Sequence, residues 1–142
     1  MKAKVGKPIT YTRPPATETD EPPEIMGGMS TWAYIRGWLE FYGQRAEAER
    51  IIREGDADGW TFPEGGWLDA ACYARAVRSQ HSDDVLKQVR KIAALPAMDE
   101  DNDRVCGLFL AFHEEGRQDE WQIRDGQVYI SQAPTRYDYL WQ

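Results

Sequence analysis

The chain has 142 residues and a formal net charge of −7 at pH 7, and 42% of its residues are hydrophobic. This length and composition predict one ordinary globular domain and exclude a disordered or fibrous protein. The longest apolar run, Val105–Phe112, is too short to span a bilayer, so we expect no membrane association. Two cysteines do not make a disulfide framework, and the first residues lack an apolar signal segment, so we expect a cytoplasmic protein.

Residues 1–28 are predicted to form a flexible or extended arm. Pro14, Pro15, Pro22 and Pro23 lie among acids and threonines, and proline fixes φ and removes a backbone donor. Only Ile9–Thr12 has the composition of a short edge strand. Residues 29–142 are expected to form a single compact domain.

Three later segments have patterns that are typical of helices. Apolar residues recur at helical spacing from Trp32 to Ile52, before a stop at Gly55. A second helix is predicted from Trp67 to His81, where small residues would allow close packing. A third is predicted over Ser82–Leu95, with Ser82 as its cap and two aspartates in its first turn.

The run Arg104–Gly116 fits two kinds of structure. Its apolar residues match one face of a helix, but the run also has the length and composition of a fully buried strand. We favour the helix here and keep the strand as the alternative.

A β-hairpin is the clearest local prediction. Asp125–Gly126 is a typical pair for a type I′ turn, and this turn would place Ile123 opposite Val128 and Trp121 opposite Ile130. The predicted fold class is therefore α+β and mainly helical: three or four helices packed with a small C-terminal antiparallel β-hairpin or sheet.

The chain contains no signature of a catalytic, metal or cofactor site. A zinc site needs about four nitrogen or sulfur ligands at suitable spacing, and His81, His113 and the two cysteines are not so arranged. There is no nucleophile with an evident base, no phosphate-binding loop and no dinucleotide fingerprint. We therefore predict a protein without enzymatic activity, metal or cofactor, and we interpret the aspartates of Asp99–Asp103 as a solvated loop.

Negative charge is concentrated in one part of the sequence. Residues 97–126 contain nine acidic and three basic residues, a net charge of −6. We expect these carboxylates to form one contiguous patch, which would repel nucleic acid and attract basic surfaces. A basic stripe is the usual signature of nucleic-acid binding, and five basic residues are candidates for one: Arg75, Arg78, Lys87, Arg90 and Lys91. The negative net charge of the chain argues against direct nucleic-acid binding.

Exposed aromatic rings rimmed by charge are the usual anchors of protein interfaces. Trp67 is predicted to begin a helix and lie in the core, whereas Trp60 and Phe62 fit either the core or a docking tip. The predicted partner-binding residues combine such rings with the acidic segment, and they are Trp60, Phe62, Asp99, Glu100, Asp101, Asp103, Glu114, Glu115, Tyr139 and Trp141.

In size and charge alone, the chain resembles small acidic inhibitors: phage-encoded anti-CRISPR and antirestriction proteins, and toxin-immunity proteins. This resemblance implies a non-catalytic inhibitor that binds the basic surface of a nucleic-acid-handling protein. One alternative is a small enzyme or ligand-binding domain with a pocket near Trp60 and His113, including Glu64 and Glu114. Another is a structural accessory that self-associates through its aromatic C-terminus.

Overall fold

The structure of the protein, a computed structural model, describes residues 31–141. Its central element is a six-stranded antiparallel sheet with the strand order β2-β3-β1-β4-β5-β6. The strands are β1 (Trp32–Glu40), β2 (Trp60–Thr61), β3 (Ala70–Arg78), β4 (Cys106–His113), β5 (Gln118–Arg124) and β6 (Gln127–Gln132). The α-helices are α1 (Arg45–Glu54) and α2 (Ser82–Ala93), and the 3-10 segments are Ser79–His81 and Thr135–Leu140. None of the helices in this part of the chain is long and apolar enough to cross a membrane.

The prediction of a mainly helical fold is wrong, because the sheet dominates the structure. The first predicted helix is strand β1 followed by a turn and the shorter α1, and the second contains β3 instead of a helix. In β1 the buried residues Ala33, Ile35 and Leu39 share one face at a period of two. Since β1 also carries aromatic residues on its other face, its apolar positions fit a helical spacing as well.

The ambiguous run Arg104–Gly116 contains strand β4, so the helix that we favoured is wrong there and the alternative is right. β4 pairs with β1 on one edge and β5 on the other. Its last five residues, Phe109 to His113, are all buried. A strand that is covered on both faces has apolar residues at consecutive positions, so its sequence does not show the alternation of apolar and polar residues that is typical of a strand.

The third helix and the hairpin are confirmed. α2 ends shortly before Pro96, although Ser82 is not its cap: the Ser82 hydroxyl donates to the Ser79 carbonyl at 2.9 Å. In the hairpin, Ile123 pairs with Val128 and Trp121 with Ile130, as the turn predicts. Asp125 and Gly126 have φ values of 54° and 78°, the positive values that a type I′ turn requires.

The two α-helices cover one face of the sheet and build the main core there. Val89 and Ile92 of α2 belong to the same buried cluster as Ile35, Phe109 and Trp121 of the sheet. The Thr135–Leu140 segment and Trp141 cover one end of the opposite face, over Leu110 and Phe112. The other end of that face carries Trp38, whose side chain is 39% exposed.

Candidate protein-binding surface

Two loops flank the turn that follows β1, at one end of the sheet. The Phe41 backbone N–H donates to the Asp69 carbonyl at 2.8 Å, so the loop before β3 lies on one side of this turn. On the other side, a Cβ added to Gly43 would lie 2.9 Å from the Met98 Cβ, so the loop after α2 approaches closely. Gly43 has a φ of +104°, which glycine adopts without strain.

Exposed large apolar side chains are concentrated at this end. Trp67 is 96% exposed, Met98 60% and Leu68 55%, and Trp38 and Tyr42 are each 39% exposed. Within residues 31–141, three others lie elsewhere: Tyr129, Ile130 and Tyr139. Single exposed apolar residues are common, but a group of them on one surface is typical of an interaction site.

Carboxylates lie beside these apolar side chains. The carboxylates of Asp99, Asp101 and Asp103 each place an oxygen within 4.8 Å of the other two. Partial desolvation, followed by the neighbouring Asp99 and Asp101, raises the pKa of the Asp103 carboxyl above its usual range. We call this surface the acidic–aromatic end, and its residues are Trp38, Glu40, Tyr42, Trp67, Leu68, Met98, Asp99, Glu100, Asp101 and Asp103.

Two neighbouring arginines do not neutralise the aspartates of this surface. The Arg104 guanidinium donates to the backbone carbonyls of Ala94 and Leu95, at 3.3 and 3.2 Å. Arg45 is occupied by Glu49 at 2.8 Å and Asp69 at 3.1 Å. The Asp99–Asp103 loop therefore keeps its excess negative charge.

Glu40 ties two of the rings to the sheet. The Trp38 indole N–H donates to Glu40 Oε2 at 3.0 Å, and the Tyr42 hydroxyl donates to Glu40 Oε1 at 3.5 Å. The neighbouring Cys106 is the main cause that raises the pKa of the Tyr42 hydroxyl. These contacts restrain both rings at the surface.

The buried Gln44 holds the acidic loop in place. Its amide nitrogen donates to the carbonyls of Pro96 at 3.2 Å and Asp103 at 3.0 Å. Its amide oxygen accepts the Tyr42 backbone N–H at 2.7 Å. The two ends of the loop are thereby fastened to the start of α1.

Of the two tryptophans in the segment Asp58–Trp67, Trp60 takes the core position that we had kept open, and Trp67 is exposed against our prediction. Trp60 is buried, and its indole N–H donates to Gln88 Oε1 at 2.9 Å, because pairing of β2 with β3 turns the ring inward. Phe62 is half-buried beneath the Arg45 guanidinium, 5.2 Å from its ring centroid. Neither ring is a free docking tip, whereas Trp67, which we expected in the core, is exposed.

The acidic residues of 97–126 do not form one contiguous patch. Glu114 and Glu115 follow β4, while the Asp99–Asp103 loop precedes it, so roughly 25 Å of strand separates the two groups. Glu114 Oε1 accepts the Trp32 backbone N–H at 3.0 Å, and Glu115 pairs with Arg117 at 3.1 Å. The acidic–aromatic end therefore contains Asp99, Glu100, Asp101 and Asp103 of the predicted residues, but not these two glutamates.

The aromatic C-terminal segment lies on the chain's own sheet. The Trp141 ring stacks on Phe112 with centroids 5.8 Å apart and tilts against Tyr34 at 4.9 Å. Tyr139 is 69% exposed, but it lies away from the acidic–aromatic end. Trp141 is thus half-buried within the fold, so this ring is not fully available for self-association through the C-terminal segment.

The residues of the alternative pocket do not converge. Trp60 lies on β2 and His113 at the end of β4, with β3 and β1 between these strands. His113 is buried, with Nε2 3.0 Å from Arg117 and 3.4 Å from Asp119. A groove of about 1220 Å³ lies between β3 and α2, but neither Trp60 nor His113 lines it.

The sequence patterns did not predict the exposure of Tyr42, Trp67, Leu68 and Met98. The pair Gly65–Gly66, with φ values of +89° and +71°, carries the chain out of the fold just before Trp67. That pair was the one signal in the sequence for an exposed tip. No protein-family model, curated protein or solved structure matches the chain.

Proposed function

We propose that this protein is a non-catalytic inhibitor that binds a basic surface of a nucleic-acid-handling protein through its acidic–aromatic end. One observation carries the proposal: five of the exposed large apolar side chains lie at the same end of the sheet as the Asp99–Asp103 loop. We further propose a cytoplasmic location, which fits the two unpaired thiols of Cys72 and Cys106.

The apolar side chains would supply the anchors of this interface. Tryptophan, tyrosine and methionine are enriched at the centres of protein interfaces, where they fill pockets of the partner. Trp67 at 96% exposed has almost its whole ring available, and Met98 adapts easily to irregular surfaces. These side chains would contribute most of the affinity.

The carboxylates would select the partner. An uncompensated acidic loop speeds the approach of a cationic surface and disfavours an anionic one, so the expected partner carries lysine and arginine where it docks. Proteins that hold nucleic acid concentrate these residues on the surface that contacts the phosphates. Occupation of that surface would exclude the nucleic acid, and this competition is the proposed mechanism of inhibition.

Affinity capture from lysates of cells that carry the gene tests this proposal. The wild-type chain is expected to retain a partner whose isoelectric point is basic, and raised salt should release it, because exposed charges are screened within about 10 Å at 0.1 M salt. Two double variants should lose the partner: Trp67→Ala with Met98→Ala, and Asp99→Lys with Asp101→Lys.

The double variant Glu114→Lys with Glu115→Lys is the matched control, since it reverses the same number of charges at the opposite end of β4. It should keep the partner. Added DNA or RNA should compete with the chain for the captured protein. Equal capture by all variants, or a partner that binds nucleic acid and this chain together, would contradict the proposal.

A further inference from the structure

Strand β3 has an edge that its neighbour β2 covers only in part. β2 pairs with Tyr73 and Cys72, and the Ala74 N–H donates to the Gly59 carbonyl at 3.0 Å. β3 continues to Arg78, and no described strand lies beside this last part. An exposed strand edge is a template on which another extended chain can pair.

The register fixes which backbone groups face outward there. The Ser79 N–H donates to the Thr31 carbonyl, so the odd-numbered residues of β3 bond to β1. In an antiparallel pair the residues between them point their N–H and C=O groups the other way. The N–H and C=O groups of Ala76 therefore point away from β1, outward in the plane of the sheet, and Ala76 is exposed.

A groove of about 1220 Å³ runs along this edge, between β3 and α2. Val77 of β3 and Val85 of α2 form part of its apolar lining. Lys87 and Lys91 lie one turn apart on α2 and also line it. The groove thus combines a strand edge, an apolar floor and two cations.

The positive charge of the groove is not neutralised from within. Its acidic residues are Glu54, Asp56 and Asp84. Glu54 is held by Arg50 at 2.9 Å and Asp56 by Arg75 at 2.7 Å, while Asp84 lies 3.5 Å from His81. Lys87 and Lys91 form no ion pair with any residue that the structure describes. The lining as a whole carries five lysine and arginine residues against three acidic ones, which leaves an excess of positive charge to which Lys87 and Lys91 contribute.

We propose that an extended acidic segment of a partner protein pairs with the edge of β3 at Ala76 and places carboxylates against Lys87 and Lys91. Alternating backbone donors and acceptors on the strand edge match a peptide backbone, and every second side chain of an added strand would face the groove. A nucleic acid would satisfy the lysines but leave the backbone groups of Ala76 without partners. This surface is separate from the acidic–aromatic end, so the two proposals stand or fall independently.

Fluorescence anisotropy with the full chain and a labelled peptide of alternating glutamate and valine tests this inference. The wild type should bind, and Lys87→Glu with Lys91→Glu should weaken binding by about tenfold or more. Arg90→Glu is the matched charge control, because Arg90 lies on α2 but outside the groove, and a single Lys91→Glu should weaken binding more than it does.

The backbone contribution is tested by Ala76→Pro, which removes the outward N–H, and proline is tolerated on edge strands. It should weaken binding as well, while Gln132→Pro, on the edge strand β6, should not. Circular dichroism identifies any variant that fails to fold, and a peptide N-methylated at alternate residues then replaces that variant on the wild-type chain. Equal binding of the methylated peptide, or tighter binding of an oligonucleotide than of the peptide, would overturn the inference.

Discussion

The side-chain amide of Gln44 donates a hydrogen bond of 3.0 Å to the backbone carbonyl of Asp103, 59 residues away along the chain. Gln44 is only 1% exposed, although it is polar. A buried amide is stable only when its hydrogen bonds are made, and here the bonds also fasten the acidic loop to the turn after β1. A residue of the core thereby determines the position of a surface loop.

We therefore expect Gln44→Met to destabilise the protein and loosen the acidic loop. The substitution leaves the Tyr42 N–H and the Pro96 and Asp103 carbonyls without their partner, which should lower the free energy of unfolding by about 2–4 kcal/mol. Urea unfolding followed by circular dichroism measures the change. Gln80→Met, at an exposed position, should stay within about 0.5 kcal/mol of wild type, and an equal loss in both variants would contradict this role of Gln44.

The two tryptophans Trp60 and Trp67 should differ sharply when each is replaced by alanine. Trp60 is 9% exposed and lies 4.9 Å from the Tyr73 ring, so Trp60→Ala should lower the free energy of unfolding by about 3–5 kcal/mol. Trp67→Ala should change it by no more than about 0.5 kcal/mol, because its side chain contacts almost nothing. Thermal or urea unfolding of both variants measures this difference. Similar decreases in the free energy of unfolding would show that Trp67 is not a surface residue.

Gly37→Ala should be strongly destabilising although Gly37 has ordinary backbone angles. A Cβ at this position would overlap the Leu108 carbonyl and the Phe109 ring. Because the Leu108 carbonyl belongs to the backbone of the paired strand β4, the sheet must shift to make room. We expect the free energy of unfolding to fall by about 1–3 kcal/mol or more. Gly55→Ala is the control, with a loss under about 1 kcal/mol, because its nearest atom is the flexible Gln88 side-chain nitrogen at 3.2 Å. Comparable urea midpoints for the two variants would count against the close approach at Gly37.

Stability should fall as the pH drops below the ordinary pKa of histidine, because His113 is buried in its neutral form. Burial, followed by the positive charge of Arg117, lowers the pKa of His113 below its usual 6.5. The unfolded chain then binds a proton that the folded protein does not, so this part of the stability is fully present above about pH 6.5 and is lost as the pH falls toward the folded pKa.

Unfolding free energies measured between about pH 8 and pH 5.5 check this expectation. His113→Gln should flatten the pH dependence in this range, whereas Gln80→Met, which replaces an exposed uncharged side chain, should leave the wild-type slope. The carboxyl groups with lowered pKa values, Glu47 and Asp56, titrate below this range. Identical slopes for wild type and His113→Gln would show that His113 is not the responsible group.

Local sequence patterns predicted the elements that local interactions determine. Asp125–Gly126 specifies its turn because few residue pairs adopt two positive φ values, and α2 has an apolar stripe together with acids at its start and bases at its end. By contrast, β1 and β4 owe their conformation to partners far along the chain. Their apolar residues occupy both faces of the sheet, so periodicity alone could not separate strand from helix.

The negative charge of the candidate site was predictable from the sequence, but the positions of its residues in the fold were not. The acids of Asp99–Asp103 stood out in the sequence, yet whether Glu114 and Glu115 join them depends on β4 being a strand, since the strand carries its two ends far apart. The exposure of Trp67 was missed as well, because the helix predicted from Trp67 to His81 is a loop followed by strand β3. Both errors therefore trace to the same missed sheet.

The central position of β1 has a consequence for biosynthesis. β1 is the first strand of the described chain, yet Trp32 pairs with Arg78 and Ala33 with His113. As the polypeptide leaves the ribosome, β1 emerges well before either neighbour, with apolar side chains on both faces and both edges unpaired. Pairing between strands that are far apart in the sequence slows folding and prolongs the exposure of aggregation-prone segments. We expect the nascent chain to depend on chaperones until β4 has been synthesised.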